Sequence, residues 1–249
     1  ITNMRTGAQT AVILRYLLKD KKDITVGLYG AGVQGRTQTE ALTAIFNVQK
    51  LYVYDPVPAA AAKFKEDMKD YVQGEIIVVD HPQKAAKADA VITVTPATQA
   101  FLKGEWLEKG TVYFAMGSYQ ECDDQAILGA DKLICDHVGQ CLHRGNLKHL
   151  AEEGKITENS VYCTVGELAA GMKQVGDVAD QKLLVATGRT VEQINEVIGA
   201  DTLGYLSTEH VVQLTKNAKC GFCTACCNWA MPAFSSAMPL SYWDFAPVS

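Results

Sequence analysis

The chain has 249 residues, of which 48% are hydrophobic and 20% charged, and a formal net charge of −5. That length allows one large or two small domains with a substantial core. The acidic balance gives no reason to expect nucleic acid or an anionic membrane as partner, no apolar run is long enough to span a bilayer, and no signal peptide is evident.

Met4 to Lys19 carries Ala11, Val12, Leu14, Leu17 and Leu18 at helical spacing, and a charged turn through Asp23 closes it. Ile24 to Tyr29 reads as a buried strand. It runs into Gly30-Ala31-Gly32-Val33-Gln34-Gly35, and Arg36 to Phe46 follows as a helix with Ala41, Leu42, Ile45 and Phe46 on its apolar face. Strand, Gly-x-Gly-x-x-Gly and helix in this order suit a dinucleotide. The first glycine allows the tight turn, the second lets a pyrophosphate approach the backbone, and the third lets helix and strand pack closely. A second strand, Leu51 to Tyr54, ends in Asp55, near the spacing expected of an acid that accepts a ribose hydroxyl. The bland reading is a glycine-rich turn that binds nothing.

Pro56 to Val72 reads as a helix, Ile76 to Val79 as a third strand, and Gln83 to Lys87 as a short helix at most. Further strands are expected at Ala90 to Thr95, Thr111 to Phe114 and Lys132 to Cys135. Such alternation implies an α/β fold, a doubly wound, mostly parallel sheet of Rossmann type, with a ligand crevice at the carboxyl ends of its strands. Val138 to Glu153 looks helical, and Glu167 to Met172 suits another short helix. After about Asp180 the rhythm changes. The expected organisation is a lead-in helix over 1–22, a dinucleotide-binding domain over 23–180 and an irregular C-terminal extension over 181–249.

Several stretches resemble the ornithine cyclodeaminase/mu-crystallin family over roughly the first 180 residues. They are Ile1-Thr2-x-x-Arg5-Thr6-Gly7-Ala8, the turn from Gly30 to Gln34, Thr95-Pro96-Ala97-Thr98, Ala115-Met116-Gly117-Ser118-Tyr119, Asp136-His137 and Gly145-Asn146-Leu147. The resemblance implies an NAD(P)-dependent enzyme moving a hydride between the cofactor and a small amino acid or its cyclic imine. The reaction would be cyclising deamination, amino-acid dehydrogenation or imine reduction, in the cytoplasm and commonly as a homodimer. By position, Arg5 and Thr6 would touch cofactor phosphates or the substrate carboxylate, with a solvated arginine at a helix start as the alternative for Arg5. Gly30, Gly32, Val33, Gln34 and Gly35 would cradle the pyrophosphate. Asp55 would take the adenosine ribose and repel a 2′-phosphate, favouring NAD over NADP. Thr95, Gly117 and Ser118 would flank the nicotinamide.

The sequence departs from the family in three places. Tyr119 stands where the family's proton-transferring aspartate is expected, and an unperturbed tyrosine, with pKa about 10, is a poor base at neutral pH. Glu121, Asp123 and Asp124 lie just beyond, so Tyr119 or one of these acids would serve catalysis, or the segment is a surface turn. The family's N-terminal substrate lobe is missing, and Ile1 in place of a methionine points to a fragment or processed chain. The closing segment over the cofactor is not recognisable after Gly188. About 188–227 instead resembles the C-terminus of amidophosphoribosyltransferase, which leaves open a fusion or a faulty gene model. The rival to the enzyme is therefore a dinucleotide-binding fragment without turnover.

Cys220, Cys223 and Cys226 have metal-ligand spacing, with Cys227 adjacent, but inert thiols are the favoured reading, and no metal is expected elsewhere. Cys122, Cys135, Cys141 and Cys163 read as buried small residues of a reducing compartment rather than bridges. His137 follows a strand end beside Asp136 and suits either a proton shuttle or plain hydrogen bonding. His143-Arg144 and Lys148-His149 read as the solvated face of a helix.

Overall fold

A computed structural model describes residues 2–19 and 21–188. An all-parallel sheet of eight strands organises them, in the order β3-β2-β1-β4-β5-β8-β6-β7. In chain order these are β1 (Asp23–Tyr29), β2 (Asn47–Tyr54), β3 (Glu75–Val78), β4 (Ala90–Thr93), β5 (Val112–Ala115), β6 (Lys132–Cys135), β7 (Val161–Thr164) and β8 (Leu183–Ala186). The helices are α1 (Thr2–Leu18), α2 (Val33–Thr43), α3 (Pro58–Met68), α4 (Asp124–Leu128), α5 (Val138–His143), α6 (Lys148–Glu152) and α7 (Val165–Ala169).

Alternate residues of the central strands enter different cores. Ala90 and Ile92 of β4, Val112 and Phe114 of β5, Ile134 of β6, and Leu183 and Val185 of β8 join the core shared with α1, α2 and α3. Val91, Tyr113, Ala115, Leu133, Cys135, Leu184 and Ala186 join a second core with residues of α4, α5 and α6. A parallel sheet covered on both faces needs apolar side chains at every position, which is why these strands read as continuous apolar runs.

The N-terminal helix α1 packs into the first core through Ala8, Ala11, Val12, Ile13, Leu14 and Leu17, all buried. It crosses α2 closely enough that a Cβ on Gly7 would lie 2.4 Å from the Thr37 carbonyl oxygen.

Two strands escape the sequence reading. β7 lies in a stretch with no strand expectation, and β8 pairs between β5 and β6 although it falls beyond the expected edge of the nucleotide-binding unit at 180. The single helix expected over Val138 to Glu153 is three pieces: α5, a 3-10 turn at Gly145–Leu147, and α6. Arg144 is extended and Gly145 has φ +73, which a helix cannot accommodate. Among the described residues no helix is long and apolar enough to cross a membrane.

Candidate dinucleotide site

From β1 the sheet is built outward through β2 and β3, then resumes on the other side with β4 and β5. This reversal is the topological switch point, and in open α/β sheets the ligand crevice forms outside the strand ends there. Gly30 leaves β1 at this point with φ +105, and its Cβ would stand 2.7 Å from the Val94 carbonyl oxygen just past β4. A side chain is excluded by both conformation and space. A Cβ on Gly35 would meet the Gly30 carbonyl oxygen at 2.3 Å, so the first turn of α2 packs onto the glycine turn. Gly32 is different: it is exposed, and a Cβ there would meet nothing within 4 Å. Gly32 is also the N-cap of α2, and no side chain caps that helix. The first amides of α2 thus begin beside open space, the arrangement in which a helix N-terminus receives an anion. Val33 and Gln34 form the first turn, with Val33 62% exposed and Gln34 tied by its Nε2 to Asn3 Oδ1 at 2.9 Å.

Asp55 closes β2 against the same turn. Its Oδ2 accepts the Ala31 amide at 2.9 Å and its Oδ1 accepts the Val57 amide at 2.9 Å. Each oxygen keeps a further lone pair for hydroxyl donors. Arg36, in the first turn of α2, braces the glycine turn. Its Nη1 donates to the carbonyls of Ala31 (2.6 Å) and Gly32 (3.1 Å), and its Nη2 donates to Asp67 Oδ2 at 2.6 Å. Lys63 and Arg36 hold the Asp67 carboxyl below its usual range. The visible signal for Arg36 is its place directly after the third glycine.

Arg5 is 2% exposed within α1, so the alternative of a solvated arginine does not hold. Thr6 is half-buried one residue on, and its carbonyl accepts Thr10 Oγ1 at 3.2 Å.

The ends of β4 and β5 are joined through Glu121, which is fully buried. Its Oε2 accepts Thr93 Oγ1 at 2.7 Å and the Gly117 amide at 2.8 Å; its Oε1 accepts the Thr95 amide at 2.8 Å and Thr95 Oγ1 at 2.6 Å. Burial pushes the carboxyl pKa up, against the pull of these four donors. Its own amide donates to Asn146 Oδ1 at 2.7 Å, and its carbonyl accepts the Phe101 and Leu102 amides. A Cβ on Gly117 would lie 2.3 Å from the Glu121 carboxyl carbon. Glu121 is therefore a clasp beneath Thr95 and Gly117 rather than a group facing the crevice. Asp123 is also engaged: it caps α4, accepting the Ala126 and Gly104 amides at 2.9 Å each. Tyr119, 54% exposed, and Ser118 lie on the open turn after β5 and line a cavity. Thr93 and Asn146 complete the clasp; the sequence reading meets Asn146 only within the Gly145-Asn146-Leu147 resemblance and Thr93 only within a strand, and gives neither a role.

Asp136, at the end of β6, accepts the His137 amide at 2.7 Å, the Gly188 amide at 2.9 Å and Cys141 Sγ at 3.2 Å. His137 caps α5 through Nδ1, which accepts the Gln140 amide at 3.3 Å, matching the hydrogen-bonding reading. Cys122, Cys135, Cys141 and Cys163 are buried and unbridged. Burial pushes the thiols of Cys122 and Cys163 up to about 12 and about 11. Among the described residues no group of three or more His, Cys, Asp or Glu side chains could hold a metal. Cys220, Cys223, Cys226 and the amidophosphoribosyltransferase-like stretch lie outside the described residues.

A switch point bearing a glycine turn, an uncapped helix and a strand-end acid defines an α/β protein of the Rossmann type. The model of the ornithine cyclodeaminase/mu-crystallin family matches residues 1–197, and the chain belongs to that family. An alanine dehydrogenase of Archaeoglobus fulgidus is 31% identical over 199 residues, covering 78% of this chain and 60% of that protein. The ketimine reductase mu-crystallin of Rattus norvegicus is 28% identical over 178 residues, covering 70% and 53%. Among solved structures, the Δ1-pyrroline-2-carboxylate reductase of Thermococcus litoralis, in complex with NADH and L-proline, matches with a TM-score of 0.71 and 28% identity. That match covers 88% of this chain and 64% of the reductase. An archaeal alanine dehydrogenase dimer with bound NAD matches with a TM-score of 0.68 and 27% identity, over 88% of this chain and 64% of that one. The chain spans about three fifths of the length of the curated relatives it matches.

Proposed function

We propose that this chain supplies the NAD(H)-binding part of an oxidoreductase acting on a small amino acid or its cyclic imine. The observation that carries the reading is the open space over Gly32 at the uncapped start of α2, with Asp55 fastened alongside. The amides from Gly32 to Gly35 would hold the pyrophosphate, and Asp55 would accept ribose hydroxyls while repelling a 2′-phosphate, which favours NAD over NADP. Arg36 occupies the Ala31 and Gly32 carbonyls of that turn. Thr95, Gly117 and Ser118 would border the nicotinamide, held in register by Glu121. Arg5 and Thr6, on α1, would serve the phosphates or the substrate carboxylate. When bound, NAD supplies the hydride acceptor and NADH the donor. Tyr119 is the group on the open turn that would move a proton, since Glu121 and Asp123 are engaged in the fold. The relatives' names support amino-acid and imine substrates, and the dimeric neighbour supports a homodimer. Unbridged buried cysteines support a reducing, cytoplasmic setting.

A second reading, binding without turnover, is favoured by Tyr119, a phenol where the resemblance implies a proton-transferring aspartate. One experiment separates the two. NADH and NADPH are titrated by fluorescence; ornithine, lysine and alanine are then supplied with NAD while absorbance at the nicotinamide band is followed. Turnover with any of them establishes the oxidoreductase, binding alone the second reading, and failure to bind NADH removes both.

A further inference from the structure

The residues read from sequence as a solvated helical face, His143-Arg144 and Lys148-His149, do not share one helix. The break at Arg144 and Gly145 folds α5 and α6 around a cavity of about 290 Å³, lined by Ser118, Tyr119, Gln120, Gly145 and these four basic residues. Gly145 sits against the turn after β5: a Cβ there would lie 3.5 Å from the Gly117 carbonyl oxygen. The cavity therefore opens beside the turn that would border the nicotinamide.

Its charge is unlike that of the whole chain. Arg144 and Lys148 bring two formal positive charges to its lining and His143 and His149 two imidazoles, in a protein of net charge −5 with histidine neutral. Two carboxylates oppose them: Asp124 Oδ1 lies 2.5 Å from His149 Nε2, and Glu152 lies 3.6 Å from Lys148 Nζ. Arg144 has no carboxylate partner among the described residues. A concave, cation-lined wall focuses potential and draws anions. The guanidinium offers a planar fork matched to a carboxylate, and Tyr119 adds a hydroxyl and an apolar ring. The volume suits a ligand portion of only a few carbons.

We propose that this cavity is an anion subsite that holds the second acidic group of a dicarboxylic amino or imino acid, chiefly through Arg144 and Lys148. The proposal rests on the oxidoreductase reading and narrows its substrate class. A carboxylate rather than a phosphate is favoured because the subsite adjoins the reacting end of the crevice, where an amino acid's side chain would extend.

The test uses the full chain and calorimetric titration with glutarate, butyrate and inorganic phosphate, with and without saturating NADH. Glutarate should bind at least about tenfold more tightly than butyrate, as a charge-assisted pair requires. The Arg144→Gln/Lys148→Gln double variant should erase that difference while NADH binding stays unchanged. Should the double variant not fold, Lys148→Gln alone, at an exposed position, is judged by the same comparison. Equal affinity for glutarate and butyrate, an unaffected variant, or phosphate binding more tightly than glutarate would overturn the proposal. Failure to bind NADH would remove the oxidoreductase reading, while the titrations without nucleotide still decide the subsite.

Discussion

The Asp55 carboxylate accepts the Ala31 amide at 2.9 Å, so the acid at the end of β2 is fastened to the glycine turn at the end of β1. One side chain thus shapes the turn and also stands where a ribose would lie. Asp55→Ala should weaken NADH binding by about tenfold or more, since a charged hydrogen bond contributes about 1.5–3 kcal/mol. Asp55→Asn, which keeps an acceptor but loses the charge, should lose less NADH affinity and narrow the gap between NADH and NADPH. Fluorescence titration with both nucleotides measures each effect, and an unchanged ratio in Asp55→Asn would remove Asp55 from cofactor choice.

The glycines of the turn should separate stability from binding. Gly32→Ala places its methyl in open space, so the melting temperature should hold while NADH affinity drops by about tenfold. Gly30→Ala should cost about 1–3 kcal/mol of stability, because φ +105 and the Val94 carbonyl both oppose a side chain. Thermal melts beside nucleotide titrations test the contrast; a Gly32→Ala protein that binds NADH normally would mean the pyrophosphate does not pass there.

Glu121 should behave as a clasp. In Glu121→Gln the amide group must face donors that the carboxylate accepts, at a cost of about 1–3 kcal/mol. Because burial raises the carboxyl pKa in the fold, the native state holds the proton more tightly than the unfolded chain. The group's stabilising contribution is then fully present below its unfolded pKa and is lost as pH rises through the folded one. The stability difference between wild type and Glu121→Gln should accordingly shrink as pH increases across the carboxylate range. Denaturant melts at a series of pH values report it, and a difference that widens would reverse the assignment.

Tyr119→Asp should raise turnover by about tenfold or more at neutral pH if proton transfer limits the reaction, since a carboxylate is a competent base there and a phenol is not. Tyr119→Phe should leave NADH binding unaltered, its side chain being half exposed on the open turn. Steady-state kinetics with the best substrate found, alongside NADH titration, decide both points.

Long or strongly patterned segments were legible. β1, the glycine turn and α2 follow from apolar runs and three glycines, and β6 occupies Lys132–Cys135 as its β-branched and apolar residues imply. β7 and β8 were not, because four apolar or mixed residues fit a buried strand and a buried helix equally well. The break between α5 and α6 hung on Arg144 and Gly145, whose conformation is not encoded by hydrophobic period. At the site, the glycines and Asp55 were visible because backbone geometry demands those residue types. The roles of Glu121 and Asp123 were hidden, because a loop acid that faces a crevice and one that ties strand ends together look alike in sequence; burial separates them.

β8 stands between β5 and β6, yet it is the last of the described strands to be synthesised. Until residues 183–186 emerge, β6 and β7 have no hydrogen-bonded route to the first five strands, and β5 and β6 each present an unsealed parallel edge. The clasp from Asp136 to the Gly188 amide closes only then. The nascent chain therefore holds two incomplete half-sheets until its final described segment joins them, the interval in which association with other chains would be most favoured.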